Sequence, residues 1–468
     1  MDQDIPNREG QRSGSLEQRR FVPIEEALAR EDRRRYALSQ GELERRWRAV
    51  RERMAAKGIS HLVVQSQQRY VGGYFRWFTD FAGQNYHITA VFPVDEDMTI
   101  IGHGAPAPAK PITPPEWALR GVKERINTPA FPNVWWEDAW DADKAVEVIR
   151  RRKPGTVGLV GLGNMSAALY ENLKKGLQGV DVVNATDLVD EVRMVKSEEE
   201  IKLHRAAAYL HEMSYEVAKA AFRPGRTVGE VIAEIRHAQV LAGSEEQQIN
   251  IAFGQPGGVH YSQLSWGNTV VRRPFQDGDV INMLIESSAA GGYWYDMRRF
   301  LCIGKVPPEL EEAYALVKEA RTILAANLKP GTVPGVALKA SDEFLKSKGC
   351  PPEARVAGHG QGLDLVERPV VRYEETAKLE PGMVISLHPT ATTKHASACI
   401  ADTYVIGKSG AVPLYANLFE DNELPVVGRP FDGQRQRPAA ASGRFAAGSL
   451  KQGEPGPADS GGKQAQLV

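Results

Sequence analysis

Cysteine is scarce in this sequence: its 468 residues include three, Cys302, Cys350 and Cys399, and no two of them have CxxC spacing. Three isolated thiols exclude a disulfide framework and a cysteine-based zinc knuckle, which favours a reducing compartment. Long apolar runs are also lacking, since none approaches the roughly 18 residues of a membrane span. The polar N-terminus has no apolar region of a secretory signal. We therefore expect a cytoplasmic protein.

An excess of charge of either sign is lacking as well, because 58 basic and 59 acidic residues give a formal net charge of -1. That balance argues against binding to nucleic acid or to an anionic membrane through bulk charge. The hydrophobic share of 42% is ordinary for globular proteins, and the length suggests two or three domains. We expect neither nucleic acid nor a membrane as partner.

Helical and strand patterns alternate along the first 190 or so residues. A charged amphipathic pattern predicts a helix within 25–58, and the runs HLVVQ, HITAVFPV, MTIIG and TVGLVG predict strands. This alternation predicts an α/β domain with a partly parallel sheet. Composition and pattern suggest four regions, which are a flexible arm (1–24), the α/β domain (25–191), a second folded domain (192–427) and a disordered tail (428–468).

The second half opens with a helix signal and continues with strands. Ser197 and Glu200 have the spacing of a capping box at the start of a long helix. INIAFG, DVINMLIESS and FLCIGK then predict strands, before another helix over 308–328. Glu286 is unusual because it stands inside an apolar strand, where an unpaired buried carboxylate is costly. It must therefore be paired or functional.

Seven segments of this half, in order, resemble motifs of the creatinase, aminopeptidase P and prolidase superfamily. They are EVRMVKSEEEIKLHRAA (191–207), FRPGRTVGEV (222–231), GVHYS (258–262), IESSAAGGYWYDMRR (285–299), GHGQGLDLVERP (358–369), LEPGMVISLHP (379–389) and ADTYVIGKSGAVPL (401–414). The resemblance implies a pita-bread catalytic domain behind a creatinase-like N-terminal α/β domain. It also implies a homodimer.

Full members of this superfamily hold two divalent metals with two Asp, one His and two Glu side chains. The resemblance carries these positions to Glu286, Asp296, His359, His388 and Ala401. Ala401 has no donor and His388 replaces a carboxylate, so a dinuclear site is not expected, because two dications without bridging carboxylates repel. The other four residues could hold one Zn²⁺ or Mn²⁺, or form a metal-free acid/base cluster. At most one ion per chain is expected.

The resemblance also implies catalytic residues. His260, within GVHYS, takes the place of a histidine that the family keeps beside the substrate. We expect it to act as a general acid/base together with His359 and Glu286. Val366 stands where the family has a further histidine, which sets this chain apart from the full members.

Substrate binding is expected to involve a second group of residues. Arg298 lies two residues after the second acid, on the same strand face, and a cation there favours a carboxylate or another anion over a guanidinium-like substrate. His388 and Glu367 are further candidates. YFRWFTDF (74–81) resembles a loop that crosses the family's dimer toward the partner's site, which makes Arg76 a candidate; alternatively, this aromatic cluster is simply core.

Three functions are consistent with these residues. The leading one is creatinase-like: hydrolysis of a C–N bond, or a related C–X bond, in a small polar, carboxylate-bearing substrate by general acid/base catalysis. The second is a Xaa-Pro aminopeptidase or dipeptidase with an altered metal site, which the lost Glu at Ala401 disfavours. The third is a catalytically inert pita-bread domain used for binding, although a retained buried polar cluster argues against complete loss of activity.

Overall fold

A computed structural model of the protein describes residues 38–66, 73–82, 86–108, 110–111, 119–131, 134–255, 273–415 and 424–428. The predicted arm, the predicted tail beyond Gly428 and the GVHYS motif with His260 lie outside the described residues. Within these ranges, no helix is both long and apolar enough to cross a membrane.

A mixed sheet organises the first half of the described chain. Its strands are β1 (Ile59–Gln65), β2 (Ile88–Pro93), β3 (Met98–His103), β4 (Lys110–Pro111), β5 (Val122–Thr128), β6 (Thr156–Val160) and β7 (Val182–Asn184). Their order across the sheet is β4-β5-β3-β2-β1-β6-β7. The β1–β2–β3 pairs are antiparallel, whereas β1–β6–β7 are parallel. The predicted α/β architecture with a partly parallel sheet is confirmed.

Helices accompany this sheet on the described chain. They are α1 (Gln40–Ala56), α2 (Gly73–Thr79), α3 (Asp138–Arg150), α4 (Ala167–Gly176) and α5 (Thr186–Arg193). The apolar side of the predicted amphipathic helix is buried in α1, where Leu43, Val50 and Met54 are each 0% exposed. Segment 73–79, expected as a loop, is a helix instead, because its aromatic side chains Phe75 and Phe78 share a face and pack into the same core.

Over its described residues, the second half is built from two larger sheets, a small ribbon and four long helices. The helices are α6 (Glu198–Ala221), α7 (Val228–Leu241), α8 (Pro308–Asn327) and α9 (Pro334–Ser347). The predicted capping box is present at the start of α6, since Ser197 Oγ accepts from Glu200 N at 3.3 Å and Glu200 Oε2 accepts from Ser197 N at 2.9 Å.

The strands of the second half carry the candidate site. They are β8 (Glu246–Gly254), β9 (Val280–Ser288), β10 (Trp294–Ile303), β11 (Gly358–Gly360), β12 (Glu367–Val370), β13 (Val384–Leu387), β14 (Thr390–Thr392), β15 (Ser397–Cys399), β16 (Asp402–Gly407), β17 (Gly410–Pro413) and β18 (Val426–Val427). One sheet has the order β18-β10-β9-β8, the other has the order β12-β11-β13-β16-β17, and β14 pairs with β15.

Strand alternation separates the core from the site. Ile281, Met283 and Ile285 of β9 pack into a core cluster with residues of α6 and α7. Because successive side chains of a strand point to opposite faces, Glu286, the residue after Ile285, takes the other face. The two sheets meet there at a β-bridge between Arg298 and Ala401, whose backbone hydrogen bonds are both 3.2 Å long.

A buried ion network ties α1 to the hairpin formed by β9 and β10. The Arg46 guanidinium is 0% exposed and contacts Glu42, Glu200 and the Tyr293 hydroxyl, with distances of 2.8, 2.9 and 2.9 Å. The Tyr293 hydroxyl in turn donates to Glu200 Oε1 at 2.9 Å. Because Tyr293 directly precedes β10, the network fixes the start of the strand that carries Asp296.

Candidate active site

A cavity of about 470 Å³ is lined by residues from both sheets of the second half. Glu286 and Asp296 reach it from β9 and β10, His359 reaches it from β11, and His388 reaches it from the residue after β13. Arg298 lines the same cavity. The structure therefore brings together five of the residues that the motifs single out.

The two acids form part of a polar row across the sheets. Glu286 is the direct cross-strand partner of Asp296 in the β9–β10 pair and of Gln248 in the β8–β9 pair. Gln248 Nε2 donates to Glu286 Oε2 at 2.7 Å, and Ser386 Oγ donates to Asp296 Oδ2 at 3.1 Å. Asp296 Oδ1 is buried with no hydrogen-bond partner among the described residues. This oxygen is therefore available to a ligand or a water.

Burial separates the protonation states of this pair. Loss of solvent, followed by the charge of Asp296, raises the pKa of Glu286 to about 8. Burial also raises the pKa of Asp296, to about 6, although the Ser386 hydrogen bond opposes the shift. Neighbouring carboxyls of this kind share one proton at neutral pH, so Glu286 holds a proton while Asp296 is ionised.

The two histidines of the cavity are both buried and neutral. Their ring centroids lie 5.0 Å apart with the planes tilted by 53°. Burial lowers the pKa of His359 to about 4, and burial followed by the charges of His359 and Arg355 lowers the pKa of His388 well below its usual value. His359 Nδ1 donates to the Gly360 carbonyl at 3.0 Å, so its Nε2 carries the lone pair.

Two further arginines line the cavity, which the motifs do not reveal. Arg355 Nη2 lies 3.2 Å from His388 Nδ1, and Arg372 hydrogen-bonds to the backbone carbonyl of Arg355. Both residues belong to irregular segments on either side of β11 and β12, where no periodicity marks them. The available signal is Arg355 itself, a cation placed four residues before His359 of the GHG motif.

Glu367 and Arg76, both expected to bind substrate, lie in ion pairs and not in the cavity lining. Glu367 Oε1 accepts from Arg193 at 2.6 Å and Glu367 Oε2 accepts from Lys196 at 2.9 Å, with the Glu367 side chain 6% exposed. Arg76 donates to both carboxylate oxygens of Glu245, at 2.5 and 3.1 Å. These ion pairs give both residues a part in holding the fold, and their predicted part in substrate binding stays a prediction.

Ala401 lines the cavity at the place where the resemblance implies a metal-bridging glutamate. The adjacent acid does not compensate for the loss. Asp402 is 0% exposed and forms ion pairs with Arg299 and Arg321, away from the cavity lining. Strand alternation explains this placement, because neighbouring residues such as Ala401 and Asp402 point their side chains to opposite faces.

The fit of a metal can be judged from the donors present. Asp296, His359 and His388 each offer one donor atom, and these atoms lie within 4.8 Å of one another. Two ions do not fit because Ala401 supplies no bridging group. A single ion does not fit the hydrogen bonds present either: Arg355 donates to His388 Nδ1, so neutral His388 carries its proton on Nε2 and has no lone pair left.

Comparison with known proteins shows where the chain belongs. Residues 202–408 match the family model of metallopeptidase family M24, and residues 46–195 match the creatinase/prolidase N-terminal domain. The chain therefore belongs to the creatinase, aminopeptidase P and prolidase superfamily, whose named relatives are hydrolases. Ala401 and His388 make it a divergent member with an incomplete set of metal ligands.

Individual relatives are distant. A probable dipeptidase PepE of Mycobacterium tuberculosis is 28% identical over 50% of this chain and 62% of its own length. The chain thus spans less than two thirds of that relative. A Xaa-Pro dipeptidase of Pyrococcus furiosus is 26% identical over 58% of this chain and 75% of its own. The crystal structure of dipeptidase PepE from Mycobacterium ulcerans shares the fold, with a TM-score of 0.65 and 21% identity over 84% of this chain and 100% of that chain.

Proposed function

We propose that this protein hydrolyses a C–N bond in a small, carboxylate-bearing substrate by general acid/base catalysis, without a dinuclear metal centre. The observation that carries the proposal is the cavity in which Glu286, Asp296 and His359 lie beside arginine side chains, while Ala401 replaces a bridging ligand. Membership of a superfamily of hydrolases supports an enzyme over an inert binding domain.

The proposed chemistry divides the acid and base roles between the two carboxyls. Ionised Asp296, through its unpartnered Oδ1, accepts a proton from a water whose oxygen forms the new bond to carbon. Protonated Glu286 delivers its proton to the nitrogen as the C–N bond breaks. The proton gained by Asp296 then returns to Glu286, so the pair ends as it began. His359 Nε2, with its free lone pair, orients the water.

The proposed substrate class follows from the charge of the cavity. Arg298, Arg355 and Arg372 contribute three cations to its lining, while one of its two acids is protonated at neutral pH. The cavity thus carries an excess of positive charge. Guanidinium groups form strong, directional hydrogen bonds to carboxylates, which makes a carboxylate the favoured anchor of the substrate.

A screen of paired compounds tests this proposal. Each small amide or amidine would be assayed as its carboxylate and as the matching uncharged primary amide. We expect kcat/KM for the carboxylate to be about 10–100-fold higher, the value of one or two charge-assisted hydrogen bonds. Arg298→Gln should narrow that difference. Equal rates for the two forms, or a preference for the amide, would contradict the proposed substrate class.

The pH dependence should be bell-shaped. Activity needs Asp296 ionised, so it should fall as the pH drops below about 6, and it needs Glu286 protonated, so it should fall above about 8. The measurement is kcat/KM of the best screened substrate across that range. A rate that climbs to a plateau above pH about 8 would mean that ionised Glu286 is the active form.

A second candidate is a Xaa-Pro dipeptidase, favoured by the name of the Pyrococcus furiosus relative. The same screen should therefore include Xaa-Pro dipeptides, with and without added Mn²⁺. Because His388 and Ala401 leave no dinuclear site, we expect weak cleavage or none. Efficient cleavage that depends on Mn²⁺ would favour the peptidase.

We also propose that the protein is a cytoplasmic homodimer, as the resemblance implies. Light scattering on the purified full chain would measure its mass against the 51.5 kDa of one chain.

We also propose that His260, which lies outside the described residues, takes part in catalysis, as the resemblance implies.

A further inference from the structure

Arg355 stands out among the cations of the second half. Its side chain is exposed and lines the cavity, and the contact described for its guanidinium is the hydrogen bond to His388 Nδ1. Its backbone is nevertheless held in place, since its N–H donates to Glu353 Oε1 at 3.1 Å and its carbonyl accepts from Arg372. Glu353 Oε2 accepts from Thr390 N at 3.1 Å, which ties this loop to the strand beyond His388.

The one side-chain partner described for Arg355 determines the tautomer of His388. A guanidinium can only donate, so His388 Nδ1 must be the acceptor of the 3.2 Å hydrogen bond. In the neutral imidazole the proton then sits on Nε2. His359 has the opposite arrangement, because its Nδ1 faces the Gly360 carbonyl, which can only accept. The centroids of the two rings lie 5.0 Å apart. At their Nε2 atoms, His388 is therefore a hydrogen-bond donor and His359 an acceptor.

We propose that Arg355 is a positioning residue that fixes His388 as a hydrogen-bond donor and thereby keeps the Asp296–His359–His388 cluster free of metal. The inference rests on the proposed function only in taking this cavity to work without a metal. Two physical effects act together here. By accepting from the guanidinium at Nδ1, His388 keeps its proton on Nε2 and has no free lone pair for a metal ion, and the positive charge of Arg355 repels a dication near the cluster.

Removing Arg355 should reveal a metal site in the same cluster. Without that donor, His388 can turn to the other tautomer and offer a lone pair, as metal-bound imidazoles do. Asp296 Oδ1 is already buried without a partner, and the donor atoms of the three residues lie within 4.8 Å of one another. One carboxylate and two imidazoles, completed by water, suit a tetrahedral Zn²⁺.

The first experiment measures Zn²⁺ alone, by calorimetry and elemental analysis of the full-length protein. We expect the wild type to bind no stoichiometric ion, and Arg355→Ala to bind one Zn²⁺ per chain at least about 10–100-fold more tightly, the range typical for changes around a metal ligand. Arg355→Ala/His388→Gln should lose the gained ion. Stoichiometric Zn²⁺ in the wild type, or no gain in folded Arg355→Ala, would overturn the inference.

Arg372→Ala is the matched control. It removes a cation from the same cavity lining together with one backbone contact of Arg355. The Arg355 guanidinium remains, and the backbone hydrogen bond to Glu353 still holds it beside His388. We expect it to stay without stoichiometric Zn²⁺. If it gained an ion as tightly as Arg355→Ala, the net charge of the cavity would explain the effect and the tautomer argument would be wrong.

A measurement on the wild type keeps the inference testable if Arg355→Ala does not fold. Nitrogen-15 spectra of selectively labelled histidines report the tautomer of each ring, with His388→Gln assigning its signals. We expect the proton of His388 on Nε2 and that of His359 on Nδ1. A His388 proton on Nδ1 would refute the inference. None of these readouts uses turnover, so failure of the proposed hydrolysis would leave them interpretable.

Discussion

Replacing Glu286 by Gln is expected to stabilise the fold at pH about 8 while it lowers turnover by about 10²–10⁴-fold. Burial raises the pKa of this carboxyl to about 8, so above that pH the folded chain carries a buried charge that an amide avoids. Gln retains an oxygen that can accept from Gln248. The gain should be on the order of 4–5 kcal/mol, because the folded pKa of about 8 lies roughly 3.5 units above the unfolded value of 4.5 and each pKa unit corresponds to about 1.4 kcal/mol.

The sign of the pH dependence makes this prediction specific. Between the unfolded pKa of 4.5 and the folded pKa of about 8, folded Glu286 holds its proton while the unfolded chain loses it. Wild-type stability should therefore decline over that range relative to Glu286→Gln. Urea unfolding at pH about 5 and at pH about 8 would measure the difference. A Glu286→Gln protein less stable than the wild type at both values would contradict it.

Glu367→Gln is expected to destabilise the fold by about 3–5 kcal/mol, the usual cost of removing one partner from a buried ion pair. The variant leaves Lys196, only 1% exposed, with a neutral partner, and it takes from Arg193, 3% exposed, one of its three carboxylate partners. Burial alone would raise the pKa of Glu367, but the positive charges of Arg193 and Lys196 outweigh burial and lower this pKa to about 2. The contribution of ionised Glu367 to the free energy of unfolding is complete above the unfolded pKa of 4.5. It is lost as the pH falls toward the folded pKa of about 2.

Urea unfolding at neutral pH measures this loss directly. Glu343→Gln is the matched control, because Glu343 pairs with Lys339 on the surface at 3.9 Å with its side chain 67% exposed, and it should change stability little. If Glu367→Gln instead unfolded like the wild type and raised only the KM, Glu367 would be a substrate-binding residue, as its place beside the GHG motif suggests.

The motifs predict the cavity residues that belong to regular strands. Glu286 and Asp296 could be placed from sequence because alternation sets the face of each side chain and the hairpin makes them cross-strand partners. Arg355 could not, because its role depends on His388, which is 33 residues away and joined to it by a loop conformation without a repeating pattern. The metal-free alternative for the site therefore stayed open at the level of sequence.

Long-range ion pairs explain why the contacts of Glu367 and Arg76 could not be predicted from the sequence. Glu367 stands at the first position of a short strand after a loop, where the chain does not settle which face a side chain takes. Its partner Arg193 is 174 residues earlier. Arg76 likewise pairs with Glu245, 169 residues later, and its aromatic neighbours Phe75 and Phe78 are core. Pairs of residues so far apart in the sequence come together only in the folded chain, so no local sequence pattern predicts them.

The buried network around Arg46 constrains how this protein can be recombined with its relatives. Arg46 lies in the region that matches the creatinase/prolidase N-terminal domain, whereas Tyr293 lies in the region that matches family M24. A chimaera joining the first region of one superfamily member to the second region of another would separate Arg46 from the Tyr293 hydroxyl, its partner in the second region. The strand carrying Asp296 begins at that hydroxyl, so an exchange that ignored this pairing would disturb the hairpin of the cavity as well as the domain boundary.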